Sequence, residues 1–166
     1  MMNELSDLLG YLTPRERDEM DRLLRGINPW RLTARPEQLA PAGDWQVWLI
    51  LAGRGFGKTR SIVEWACEQA LAQPGSRGAV VASTASDVRD VLVEGASGFL
   101  STPRPPMYEP SRRRLTWANG SIALLYSAEE PARLRGPQQH WAIADELAAW
   151  RQPEAWDQLL FGLRLG

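Results

Sequence analysis

Leu51-Ala52-Gly53-Arg54-Gly55-Phe56-Gly57-Lys58-Thr59 is the stretch whose reading decides the fold. A polyphosphate needs many hydrogen-bond donors close to it and no side chains in the way. Glycines let the backbone curl until successive N–H groups face inward, and a helix starting where the loop ends adds its positive pole. Gly53, Gly55 and Gly57 meet that need. Lys58 is set to reach the β- and γ-phosphate oxygens of ATP, and Thr59 to offer its hydroxyl to Mg2+. The phosphate-contacting set runs through Gly53, Arg54, Gly55, Phe56, Gly57, Lys58, Thr59 and Arg60. The usual pattern opens on a glycine four residues ahead of the Gly-Lys pair, and here alanine, Ala52, holds that place. Arg54 is an uncommon cation inside such a loop. It suits charge developing on a transferred phosphoryl group, or it is an exposed arginine at the crest.

The flanking sequence supplies the right context. Val47-Trp48-Leu49-Ile50-Leu51 is a continuous apolar run that stops at glycines, as a buried parallel strand does. Beyond the loop, Arg60 to Ala72 reads as a helix with Ile62, Val63, Ala66, Ala70 and Leu71 at core spacing. Ala79-Val80-Val81-Ala82 is a second buried strand, and Ser86-Asp87 opens a helix with Val88, Val91 and Leu92 on one side. Strand, helix, strand, helix marks crossover units of a parallel sheet. Asn119-Gly120, between Arg114–Trp117 and Ser121–Tyr126, signals a hairpin after a proline-rich loop at 101–111. The expected fold is α/β: a P-loop NTPase of RecA-like type, three layers α/β/α, with a mostly parallel central sheet and an inserted β-hairpin.

Ahead of this domain, residues 1–43 read as a helical and extended segment. Thr13-Pro14-Arg15-Glu16 has the form of a capping box, followed by an apolar stripe of Met20, Leu23 and Leu24. Pro29, Pro36 and Pro41 make 28–43 an extended connector, in which Trp30 packs on the core or flanks a base. The ATPase domain takes residues 44–166.

Composition sets further bounds. The chain has 166 residues, 44% hydrophobic, enough for one buried core. With 19 basic against 20 acidic residues the net charge is -1, which argues against a wholly basic nucleic-acid binder. Lys58 is the sole lysine. One cysteine, Cys67, excludes an internal disulfide and reads as a core residue, and the single His140 reads as structural. No apolar run nears the roughly 20 residues that span a bilayer, and no signal peptide is evident, so the expected location is the cytoplasm.

A second chemical requirement is a carboxylate at the end of a strand, holding Mg2+ beside the phosphates. Trp141-Ala142-Ile143-Ala144 leads into Asp145-Glu146. Asp145 suits the metal, and Glu146 suits orienting and deprotonating the attacking water. Adjacent acids favour hydrolysis over transfer to an acceptor, so the expected activity is that of an ATPase.

Taken together, these residues resemble the large terminase subunit, the DNA-packaging motor of tailed phages, prophages and gene-transfer agents. The resemblance rests on Gly53 to Thr59 with its loop arginine, on Glu64-Trp65 ending the following helix, and on Arg135-Gly136-Pro137-Gln138-Gln139-His140 leading to Asp145-Glu146-Leu147-Ala148-Ala149-Trp150. It implies catalytic roles for Lys58, Glu146 and Arg54, metal binding by Thr59 and Asp145, and a finger into a neighbouring subunit's site from Arg135, with Arg133 in reserve. It implies adenine contacts from the region of Gln38, Trp45 and Gln46. It implies double-stranded DNA, a portal protein and a small terminase subunit as partners, in a ring, usually pentameric, within the bacterial host; the isolated fragment is expected to be a monomer with weak hydrolysis. Relatives continue into a Thr-rich coupling strand and a nuclease, neither of which the sequence contains, so an exposed sheet edge is expected. Other readings are a RecA-like helicase or translocase, and a non-hydrolysing interaction module using the 8 tryptophans. Arg112-Arg113-Arg114 fits DNA phosphates or a solvated face.

Overall fold

A computed structural model describes Thr13, Arg15, Glu16 and residues 28–165. The chain separates into two compact units, Met1–Arg35 and Pro36–Gly166. In the first, the capping box forms as expected. Thr13 N–H and hydroxyl donate to Glu16 Oε2 (2.8 and 2.7 Å), and Glu16 N–H returns to Thr13 Oγ1 (3.4 Å). The Met20, Leu23 and Leu24 stripe lies outside the described residues. Instead of a wholly extended connector, 28–43 contains a helical turn, Trp30–Thr33, and a 3-10 turn, Pro36–Gln38.

The second unit holds a five-stranded sheet. Its strands are β1 (Arg77–Ala82), β2 (Met107–Glu109), β3 (Arg114–Thr116), β4 (Ile122–Ser127) and β5 (Trp141–Ala144), in the order β2-β3-β4-β1-β5. Strands β4, β1 and β5 run parallel, while β3 is antiparallel to both its neighbours. The central strand β1 shows why its sequence is apolar throughout. Val80 and Ala82 enter one core with Val63, Ala66 and Cys67 of helix α1 (Lys58–Ala72), whereas Ala79 and Val81 enter another with Ala155 and Leu159 of helix α3 (Glu154–Gly162). Alternate side chains point to opposite faces, so a strand covered on both sides has no polar face. Each fully buried valine or leucine contributes about 1.5–3 kcal/mol. Helices on both faces give the expected three layers.

The hairpin turns at Gly120 (φ +84), and its Asn119 amide donates to the Ala70 carbonyl (2.8 Å) at the end of α1. Ser121 Oγ donates to Ala70 and Gln73 carbonyls (2.8 and 2.9 Å), so the hairpin turn closes the helix C-terminus that Pro74-Gly75 ends.

Three expectations fail locally. The buried strand at 47–51 does not form a ladder, and Val47, Leu49 and Leu51 are 53%, 65% and 85% exposed. Strand β5, which ends at the acidic pair, takes its ladder from β1, and among the described residues one isolated bridge, Gln139 to Leu163, lies just ahead of it. Without ladder partners an apolar run has propensity but no hydrogen bonds to hold it. Second, helix α2 begins at Ala85–Asp87 behind a Thr84 capping box and winds on as a π-helix, Val88–Val93. The wider turn buries Val93 with Val88 and Leu92 and leaves Val91 44% exposed, displacing the expected stripe. Third, the proline-rich loop yields β2, whose Tyr108 pairs with Leu115.

Candidate functional site

The phosphate loop turns where its glycines allow it. Gly55 and Gly57 adopt φ +76 and +90, a region costly for other residues, and Gly57 is the N-cap from which α1 starts. A Cβ at Gly57 would also come within 2.6 Å of Gln38 Nε2, which donates to the Phe56 carbonyl (2.8 Å). Gln38 is buried and holds the loop from behind. Lys58 Nζ curls back to donate to the Ala52 and Gly53 carbonyls (2.8 and 3.1 Å), so the sole lysine of the sequence lies at the loop.

The acidic pair meets the loop from β5. Asp145 N–H donates to the Val81 carbonyl (2.9 Å), which extends the β1–β5 ladder one residue further and sets the carboxylate beside α1. Thr59 Oγ1 donates to Asp145 Oδ2 (3.4 Å) across 86 residues of sequence. Asp145 is 9% exposed. Burial, then the charge of Glu146, push its pKa up, against the opposing bonds from Glu146 N–H and Thr59 and the nearby Lys58 charge. Glu146 is held at φ +50, ψ +43, a left-handed conformation rare outside glycine, asparagine and aspartate. Its N–H donates to Asp145 Oδ1 (3.1 Å), its carbonyl accepts from Ala149 N–H (2.8 Å), and Trp150 Nε1 donates to the Asp145 carbonyl (3.0 Å). A buried tryptophan thus bonds the backbone of the turn that carries both acids. Hard oxygen donors from Thr59 and Asp145, beside an ammonium group and a helix N-terminus, suit a small divalent cation shared with phosphate oxygens. Among the described residues no group of three His, Cys, Asp or Glu could bind a metal alone.

The structure thus brings Lys58, Thr59 and Asp145 together, with Glu146 next in the chain. Arg54 sits exposed at the loop crest. Arg60 turns away from the loop: its guanidinium pairs with buried Glu64 (2.5 Å) and reaches Ser101 Oγ (3.3 Å). Arg133 is paired with Glu130 (3.0 Å), while Arg135 stands exposed one residue before Gly136 (φ +98). The three consecutive arginines are matched by acids, Arg112 and Arg114 by Glu109 (3.2 and 2.6 Å) and Arg113 by Glu130 (3.3 Å). That arrangement favours the solvated-face reading over a free DNA-binding patch. Arg114 bonding holds the Glu109 carboxyl below its ordinary range. Ahead of the loop, Trp45 packs tilted against Trp48 and Trp65 (6.2 and 5.8 Å between ring centroids). Gln46 is exposed.

The geometry can be set against known proteins. The family of terminase large subunits, T4likevirus-type, N-terminal part, matches residues 49–163. This chain belongs to that family. The large terminase ATPase domain of Thermus phage P74-26 is similar in structure, with a TM-score of 0.50 and 22% identity, over 66% of this chain and 53% of that one. The terminase chain described here thus spans about half of that solved domain. At this identity the likeness bears on the fold, and it agrees with a P-loop, RecA-like sheet that does not close. No curated protein sequence matches. No described helix is long and apolar enough to cross a membrane.

Two parts of the site were hidden in the sequence. The Trp150 bond to the Asp145 carbonyl sits in an Asp-Glu-Leu-Ala-Ala-Trp string whose tryptophan gave no sign of partner. Gln38 lay among three adenine candidates, and nothing in the sequence marked its bond to the Phe56 carbonyl.

Proposed function

We propose that this terminase chain is an ATP-binding and hydrolysing motor domain. The observation that carries the reading is the approach of Thr59 Oγ1 to Asp145 Oδ2, with Lys58 on the same helix end. Lys58 would exchange its loop carbonyls for β- and γ-phosphate oxygens, and the loop N–H groups would hold the α- and β-phosphates. Thr59 and Asp145 would hold Mg2+, whose charge offsets that developing on the phosphoryl oxygens. Glu146, aimed by its left-handed backbone, would orient the attacking water and take its proton. Arg54 would act on the γ-phosphate from within the subunit, and Arg135 from a neighbour. Arg133 is the reserve for that second role, already committed to Glu130. Gln38, which touches the loop directly, is the favoured adenine-side residue of the three considered.

In this reading residues 1–43 form an accessory segment and 44–166 the ATPase domain. Family membership supports work in phage DNA packaging: double-stranded DNA as the cargo, a portal and a small terminase subunit as partners, a ring of copies as the working state, and the bacterial host cytoplasm as the place. The test is Mg2+-dependent phosphate release by the unaltered chain and by Glu146→Gln. The account expects the variant to bind a fluorescent ATP analogue normally and to lose at least about 100-fold in rate, the range of general-base catalysis. Equal rates would remove Glu146 from the mechanism. Absence of analogue binding by either chain would favour a non-hydrolysing module.

A further inference from the structure

The Arg135 loop is gripped from the α3 side at a buried point on each side of Arg135. Gln139, four residues after Arg135, is 2% exposed. Its N–H donates to the Gly162 carbonyl (2.9 Å), and its own carbonyl accepts from Leu165 N–H (3.2 Å). Its side chain runs under Gly162, where an added Cβ would stand 2.3 Å from Gln139 Oε1 and 3.1 Å from the Pro137 carbonyl. The amide also lies beside the buried Tyr126 phenol. At the other end of the loop, Leu134 is buried with Leu159 in the core on the α3 side. Between these two anchors Arg135 and Gly136 form one wall of a cleft, faced by Gln158, Phe161, Gly162 and Arg164.

The geometry points to Gln139, seated on Gly162, as a positioning residue that sets where Arg135 is presented. The inference rests on the proposed action of Arg135 on a neighbouring copy, and it adds the device that regulates its reach. Gln139 does not touch nucleotide; it acts through the loop. Any motion of α3, which follows the Asp145-Glu146 turn in the chain, must carry the Arg135 loop with it, because both backbone groups of Gln139 are bonded to 162–165. A side chain at 162 would have to displace the Gln139 amide and press on the Pro137 carbonyl, so the seat is sensitive to one methyl group.

The test uses the full chain in two measurements. A nitroxide on Arg135→Cys reports loop order, and labelling is selective because burial pushes the Cys67 thiol up to about 12. The label should be immobilised in the otherwise unaltered chain and mobile when Gly162→Ala is added. Adding Gln139→Ala to that pair should restore order, since the added methyl then fills the space that the amide vacates. With Arg135 intact, Gly162→Ala should leave KM for ATP unchanged and lower the concentration-dependent part of kcat at least about tenfold, with recovery in Gly162→Ala/Gln139→Ala. If Gly162→Ala does not fold, by circular dichroism, Gln139→Ala alone serves, and it should loosen the loop. A spectrum that Gly162→Ala and Gln139→Ala both leave unchanged overturns the positioning role. Immobilised labels with hydrolysis that never rises with concentration instead overturn the action of Arg135 on a neighbour.

Discussion

Glu146 concentrates the residue-scale argument. A left-handed backbone costs an ordinary residue about 1 kcal/mol, and the turn pays that to aim a carboxylate. Glu146→Gly should therefore raise stability by about 1 kcal/mol in urea titration while abolishing phosphate release. A destabilised Glu146→Gly would show that the side chain, not the strain, holds the turn. Asp145 carries a second prediction. Its pKa in the fold stands above the ordinary value, through burial first and the Glu146 charge second, so the folded chain binds its proton more tightly than the unfolded chain. Stability from this group is then greatest at acid pH and falls as pH rises from the unfolded to the folded pKa. Asp145→Asn removes the cost of ionisation, and its melting temperature at pH 7 should exceed that of the unaltered chain by about 1–5 °C. A lower value at pH 7 contradicts the burial argument. The same substitution should remove Mg2+ dependence from nucleotide binding. The proximity of Lys58, Thr59 and Asp145 was legible in advance because phosphate and metal chemistry each demand a residue type at a fixed place. The conformation of Glu146 was not, since no sequence pattern marks a non-glycine residue for positive φ.

At the scale of elements, legibility followed how much of the information was local. Helix α1 ends where Pro74-Gly75 ends it, and the hairpin turns on Asn119-Gly120, because caps and turns are written in adjacent residues. The π-helical winding of 88–93 and the missing ladder at 47–51 depend on what neighbours offer, which a run of valines and leucines does not state. Strand pairing also brings backbones close. Gly78 on β1 lies under the Trp141 ring of β5, where a Cβ would come within 2.2 Å of it. Trp141 is buried and stacks edge-on with Trp117 (6.2 Å), so it has no room to retreat. Gly78→Ala should lower unfolding free energy by about 1–3 kcal/mol in denaturant titration, the usual cost of overpacking. A neutral result would mean that the ring finds another rotamer. Arg60 makes the same point in reverse: its place after Lys58-Thr59 suggested phosphate, yet Glu64 one helical turn on claims it.

For the whole molecule, the sheet sets the site by bringing the ends of β1 and β5 to the N-terminus of α1. The terminase large-subunit family match, residues 49–163, takes in the phosphate loop, the helix after it and the acidic strand. Coupling of fold to ligand follows from that placement, because a nucleotide that joins α1 to β5 binds the folded state alone. MgATP at 100 times its dissociation constant should stabilise the chain by about 2.7 kcal/mol. The most direct measurement is titration of the full chain with a fluorescent ATP analogue and Mg2+, beside Lys58→Ala. The account predicts saturable binding by the unaltered chain and a loss of at least about tenfold in affinity for Lys58→Ala, as expected when a charge-assisted phosphate contact is removed. Equal affinity for the two proteins would contradict it.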